Sequence, residues 1–130
     1  AELVVGFTYD LILPADSTDA TMDRFEAKIH AFLEAGSFRV IREANGNPVI
    51  KEIRPFVTDL ALDRVGRRIL LSARFGPEGT VRSTEVLTGV LGLSPEALHR
   101  MRIVKTGTQL ADFAGSADQQ IFSSDSYKMY

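Results

Sequence analysis

Leu3-Val4-Val5-Gly6-Phe7-Thr8-Tyr9-Asp10-Leu11-Ile12-Leu13 alternates along its length. Leu3, Val5, Phe7, Tyr9, Leu11 and Leu13 fall on one face, and Thr8 and Asp10 on the other. A period of two predicts a strand whose odd positions meet the core. Pro14 ends it. Residues 15–21 are rich in Asp, Ser and Thr, the side chains that cap helix N-termini.

From Met22 to Ala35 the period changes to that of a helix. Met22, Phe25, Ile29, Phe32 and Leu33 form the apolar stripe, Asp23 and Glu26 suit the positive end of the macrodipole, and Gly36 is placed to end the helix as the C′ residue. Two hairpins follow. Phe38–Glu43 and Pro48–Ile53 flank the turn Ala44-Asn45-Gly46-Asn47. Phe56–Asp63 and Arg67–Phe75 flank Arg64-Val65-Gly66. In the second hairpin Ile69, Leu71, Ala73 and Phe75 make a buried face, opposite Arg68, Leu70, Ser72 and Arg74.

Gly76-Pro77-Glu78-Gly79 breaks the chain, and Ser83 or Thr84 is expected to cap a second helix striped by Val86, Leu87, Val90 and Leu91. Gly92 interrupts it. Ser94-Pro95-Glu96 restarts a short helical turn, with serine as N-cap and proline in the first helical position, and this turn ends near Met101. Arg102–Thr106 reads as the last strand, closed by Gly107.

The order strand, helix, hairpin, hairpin, helix, strand defines an α+β fold. With the first hairpin treated as an insertion it is the split β-α-β-β-α-β of ferredoxin-like folds, an antiparallel sheet with helices on one face. Residues 1–110 form this domain. Residues 111–130 are small and polar, without period, and are expected as a flexible tail.

Composition narrows the function. The chain has 130 residues, enough for one domain with one core, and its 45% hydrophobic and 25% charged content is ordinary. It has no cysteine, which excludes disulfides, thiolate metal sites, cysteine-ligated iron–sulfur clusters and cysteine nucleophiles. No run is long and apolar enough to span a bilayer, no signal peptide is visible, and a cytoplasmic location is expected. The first residues, Ala1-Glu2-Leu3-Val4, lack methionine, which fits a fragment or a processed start equally. Charge is uneven: residues 1–36 hold 2 basic and 7 acidic side chains, residues 37–110 hold 12 and 7, and residues 111–130 hold 1 and 3.

The chemistry-bearing residues are sparse. His30 and His99 are the only imidazoles, and no H-x-x-x-H spacing exists, so no metal site is expected. Asp59 and Asp63 share a strand face, but they flank a turn and read as solvated strand ends rather than an acid–base pair. No G-x-S-x-G elbow is present. The Gly79–Thr84 loop leads from a strand into a helix start, where free N–H groups can hold an anion and Arg82 adds charge. A plain, capped connection is the default. Arg68 and Arg74 share a strand face, and Arg54, Arg82, Arg100, Arg102 and Lys105 lie near element ends. Convergence would make an electropositive surface for a phosphate backbone or an acidic partner, with ordinary ion pairing as the alternative. The candidate anion- or partner-binding residues are therefore Arg54, Arg74, Gly79, Thr80, Arg82, Arg102 and Lys105. No RNA-recognition aromatic signature or KH-type GXXG loop accompanies them.

Ile53-Arg54-Pro55-Phe56-Val57, Gly79-Thr80-Val81-Arg82 with Glu85-Val86-Leu87, and Arg102-Ile103-Val104-Lys105-Thr106-Gly107 follow one another at a spacing that resembles the C-terminal half of the radical SAM-linked protein family, an uncharacterised domain fused to, or encoded beside, radical SAM proteins. The resemblance spans about residues 3–110. Ser83 departs from it, since the family often has proline after the loop arginine. The family's N-terminal half, rich in Gly, Pro and His, has no counterpart here. Radical SAM chemistry needs a cysteine triad that this chain lacks, so the resemblance implies a non-catalytic accessory domain, without a cofactor of its own, that positions substrate for a radical SAM protein in cis or in trans. An RNA-binding module using the arginines, and a small enzyme with an anion site at Gly79–Thr84, are the alternatives. The oligomeric state is open.

Overall fold

In the computed structural model the described residues are 2–77, 79–112 and 121–123, and side chains are described for 4–77 and 79–110. The alternating N-terminal stretch is a strand, β1 (Glu2–Ile12), and it lies at the centre of the sheet. Its even spread of apolar and β-branched residues lets it pair on both edges. It runs antiparallel to β5 (Arg68–Arg74) on one side and to β6 (Arg102–Asp112) on the other. β4 (Val57–Asp63) pairs with the far edge of β5, and β7 (Ile121–Ser123) with the far edge of β6. The sheet order is β4-β5-β1-β6-β7, antiparallel throughout, so its four long strands lie in the spatial order second, third, first, fourth.

The first hairpin, β2 (Arg39–Ala44) and β3 (Asn47–Glu52), forms a separate two-stranded sheet. Asn45 and Gly46 both take positive φ, 53° and 80°, as a tight hairpin turn requires. The molecule is thus α+β, with one mainly antiparallel sheet and an inserted hairpin.

Helix α1 (Asp19–Glu34) buries Met22, Phe25, Ile29 and Phe32 against the sheet and packs over β4. Thr18 caps it, its Oγ1 accepting from Thr21 N at 3.2 Å. Leu11, Ile69 and Leu71 rise from the sheet into this core, each 1% exposed or less. At its C-terminus the sequence expectation is corrected. Gly36 does not adopt the left-handed conformation, and Ala35 leaves the helix extended. The orphan carbonyls are taken instead by Arg54, which donates to Leu33 O (3.0 Å) and Ala35 O (3.2 Å) while its guanidinium lies 5.2 Å from the Phe32 ring centroid.

The second helix is also corrected. Only Ser83–Glu85 (α2) is α-helical, and Val86–Val90 continues as a wide π turn closed by Leu91 N donating to Val86 O. Three β-branched residues and Gly89 give this stretch little intrinsic helix preference. Gly89 is needed for another reason, because a Cβ there would meet Val40 Cγ1 of the hairpin at 2.9 Å. Its apolar stripe is nevertheless buried: Val86, Leu87 and Leu91 are 2% exposed or less. α3 (Pro95–His99) begins as expected, Ser94 Oγ accepting from Ala97 N.

Two further expectations change. Phe75 is half exposed rather than buried, lying past the end of β5 with its ring edge-on to Phe7. β6 does not stop at Gly107: it runs on to Asp112, across register shifts at Val4/Gly6 and Thr8/Tyr9 that let it follow the twist of β1. Of the expected tail 111–130, Ala111 and Asp112 belong to β6 and Ile121–Ser123 to β7, while 113–120 and 124–130 lie outside the described residues.

Candidate functional site

The basic middle of the chain folds against its acidic first third. Arg68 Nη1 donates to Asp10 Oδ2 at 2.7 Å, Arg100 Nη2 to Asp16 Oδ1 at 2.7 Å, and Arg64 contacts both Asp23 and Glu26 of α1. Arg68 also holds Asp63 at 3.0 Å. Asp63 accepts from Gly66 N as well, closing the β4–β5 turn, and these bonds hold its carboxyl below the usual range, the Gly66 N–H first and Arg68 second. Much of the charge asymmetry in the sequence is therefore spent on internal pairing. Asp59 stays exposed opposite Ser72 on β5, so it and Asp63 have different surroundings and roles.

The seven candidate residues divide accordingly. Arg54 is a helix-capping side chain: besides Leu33 O and Ala35 O it reaches Val57 O at 3.1 Å. Arg102 is exposed opposite Ile12, and Lys105, also on β6 and separated from β4 by two strands, lies 3.9 Å from the Phe7 ring centroid. Neither joins the others.

Arg74, Gly79 and Thr80 do come together. Gly76 and Gly79 exchange both backbone hydrogen bonds at 2.9 Å, and Gly79 has φ +109°, which glycine tolerates and other residues rarely do. This tight turn brings Thr80 back over the end of β5, where its Oγ1 donates to Arg74 O at 2.6 Å. Arg42 Nη2 fixes the same residue from the hairpin, donating to Thr80 O at 3.0 Å. Arg82 follows with an exposed side chain; its backbone N–H donates to Glu85 Oε1 at 2.9 Å. The loop's own glutamate thus takes the position that an anion at the Gly79–Thr84 turn would need.

The side chain of Arg74 points the other way. Its Nε donates to Pro55 O at 2.8 Å and its guanidinium lies 5.0 Å from the Phe56 ring centroid. Lys51 of β3 approaches the same ring, Nζ 4.6 Å from the centroid. Lys51, Glu52, Pro55, Phe56 and Arg74 line a recess of about 310 Å³. Phe56 is buried, so its ring is a fixed surface against which both cations lie. Glu52, on the rim, accepts from Ser37 Oγ, Phe38 N and Arg54 N, and these bonds, Ser37 first, hold its carboxyl below the usual range. It is therefore ionised at neutral pH and a poor proton donor. The recess offers charge recognition, with a planar guanidinium suited to bidentate contact with a carboxylate or phosphate.

Comparison with family models, with curated proteins and with solved structures finds no match for this chain. The recess must be read from its own residues. Sequence reasoning identified Arg74 but missed Lys51 and Phe56. The missed signal is the run Lys51-Glu52-Ile53-Arg54-Pro55-Phe56, in which a strand's last cation and a buried aromatic are separated by a bend at Pro55. Among the described residues no group of three His, Cys, Asp or Glu side chains could hold a metal ion, and no helix is long and apolar enough to cross a membrane. His30 lies in solvent, 3.3 Å from Glu34.

Proposed function

We propose that this domain is a non-catalytic accessory module of a radical SAM-type system, and that it holds an anionic part of the substrate or of the partner protein against Lys51 and Arg74. One observation carries the reading. Arg74 joins two of the three segments on which the family resemblance rests: its side chain is bonded to Pro55 O in the first, and its carbonyl to Thr80 Oγ1 in the second. The third segment, in β6, forms the sheet beside β1. A ferredoxin-like fold goes with this proposal, supported by the order β4-β5-β1-β6 and by antiparallel pairing at every step.

A recess floored by an aromatic ring and walled by two cations favours binding over turnover. Its one carboxylate is engaged by three donors, and the guanidinium is permanently charged. The test is co-purification of the 130-residue chain with the radical SAM protein encoded in the same or the adjacent reading frame. The expected result is a complex that Arg74→Glu weakens at least tenfold while Arg102→Glu leaves it intact. Absence of a complex, or a complex indifferent to Arg74→Glu, overturns the proposal.

The same pair of cations favours a second reading, RNA backbone binding in a cytoplasmic setting. It requires affinity for a mixed-sequence single-stranded RNA that falls steeply with salt, with a slope reduced by about one when Arg74 is neutralised.

A further inference from the structure

The hairpin β2–β3 presents a face that nothing in the described chain covers. Ile41 and Ile50 stand directly opposite one another on it, and each is 74% exposed. Neighbouring positions on that face are Arg39 opposite Glu52 and Glu43 opposite Pro48. The hairpin is a separate sheet, and among the described residues its two strands pair only with each other, which leaves both outer edges unpaired there as well. Single exposed isoleucines are ordinary. Two such residues, stacked as a cross-strand pair on a free hairpin, form a patch that gains by being covered.

The flanking charges say by what. Along β2 the order on this face is Arg39, Ile41, Glu43, a cation and an anion equally spaced about the apolar centre. A two-fold axis lying across the strands maps this row onto its own reverse. It sets Ile41 against Ile41 of a second copy, Ile50 against Ile50, and Arg39 against Glu43 in both directions. Among the described residues Arg39 has one ion-pair partner, Glu52 at 3.7 Å with Arg39 itself 71% exposed, a contact of little worth in water. Glu52 is held by Ser37 and Phe38 besides, whereas Glu43 is exposed and has no ion-pair or hydrogen-bond partner among the described residues.

We propose that this hairpin face is a self-association surface, and that two copies of the chain pack through Ile41 and Ile50 with reciprocal Arg39–Glu43 pairs. A hairpin face is smaller than the roughly 800 Å² per partner of a standard stable interface. The dimer is therefore reversible and concentration-dependent.

Sedimentation velocity on the 130-residue chain, from about 10 μM to 1 mM, tests this. The expected result is a sedimentation coefficient that rises with concentration. Ile41→Lys abolishes the rise. Arg39→Glu and Glu43→Arg each shift the midpoint at least tenfold higher, because each puts like charges together. An equimolar mixture of those two variants restores association, since an all-acidic row then meets an all-basic one. All three substituted positions are exposed, so circular dichroism of each variant should match the parent chain. A chain that is monomeric at every concentration overturns the proposal. So does association that survives Ile41→Lys, or a variant mixture that associates no better than its components.

Discussion

Arg42 and Glu85 form a two-pronged ion pair that fastens the inserted hairpin to α2. Arg42 Nε lies 2.7 Å from Glu85 Oε2 and Nη2 lies 2.6 Å from Oε1, with the side chains 15% and 11% exposed. The same guanidinium holds Thr80 O, and the same carboxylate holds Arg82 N, so this one pair fixes the loop that carries Gly79, Thr80 and Arg82.

Removing one partner leaves the other charge poorly solvated and unpaired. Arg42→Met is expected to destabilise the fold by on the order of 3 kcal/mol. The double variant Arg42→Met/Glu85→Leu should regain part of that loss, because neither charge remains. Urea unfolding of the two variants beside the parent chain measures both values. A single variant as stable as the parent would show the pair to be solvent-screened.

Acid should loosen the fold through the same carboxylate. For Glu85, burial raises the pKa, but the bonds from Arg42 and from Arg82 N outweigh it, and the net position is below the ordinary one. Glu52 and Asp63 are lowered as well. A depressed folded-state pKa means stability that is present above the unfolded value and lost as pH falls through the folded one. Thermal unfolding midpoints are therefore expected to be flat above about pH 5 and to drop progressively below the ordinary carboxylate value of about 4.3. Glu85→Gln should start lower at neutral pH and drop less. A parent chain equally stable at pH 3 and pH 7 would contradict this.

Arg54 is expected to matter for stability and not for binding. Arg54→Ala removes the donors to Leu33, Ala35 and Val57 carbonyls and the packing on Phe32, a loss of about 1–3 kcal/mol. Arg54→Lys cannot reproduce three fixed directions and should recover only part of it. Chemical unfolding gives the stability, and the partner-binding assay should be unchanged in protein that remains folded.

Gly6 is required by close approach rather than by backbone conformation. A Cβ there would stand 2.5 Å from Ala73 O and 2.7 Å from Gln109 Oε1, between the two strands that flank β1. Gln109 can turn away, but the Ala73 backbone cannot. Gly6→Ala is expected to cost about 1–3 kcal/mol, against less than about 1 kcal/mol for Gly36→Ala, where nothing lies within 4 Å. Unfolding midpoints of the two variants decide it.

Periodicity carried most of the architecture. The alternation from Leu3 to Leu13, the stripe Met22–Phe32 and the turn residues Asn45-Gly46 each specify a local structure that the tertiary fold also uses. The failures occur where a distant residue decides. Gly36 looked like a helix terminator, but Arg54, eighteen positions on, does that work. The Val86–Leu91 stripe implied a helix, yet the packing of Gly89 under Val40, with Gly92 just beyond, favours a wide turn that buries the same side chains. Two of the basic residues that looked like a surface, Arg68 and Arg100, are paired instead with Asp10 and Asp16 from the first third of the chain. The recess was illegible for the same reason: Lys51, Phe56 and Arg74 meet only because the hairpin, the Pro55 bend and the end of β5 converge.

We propose that Lys51 and Arg74, both lying against the Phe56 ring, hold an anionic group of a radical SAM-type partner or its substrate. The most direct measurement is the affinity between the 130-residue chain and that partner for the parent, for Lys51→Glu/Arg74→Glu, and for Arg102→Glu/Lys105→Glu, with folding of each checked by circular dichroism. Lys51→Glu/Arg74→Glu is expected to abolish binding, and Arg102→Glu/Lys105→Glu to change it less than threefold. Binding that survives loss of Lys51 and Arg74, or that depends on Arg102 and Lys105 instead, would contradict it.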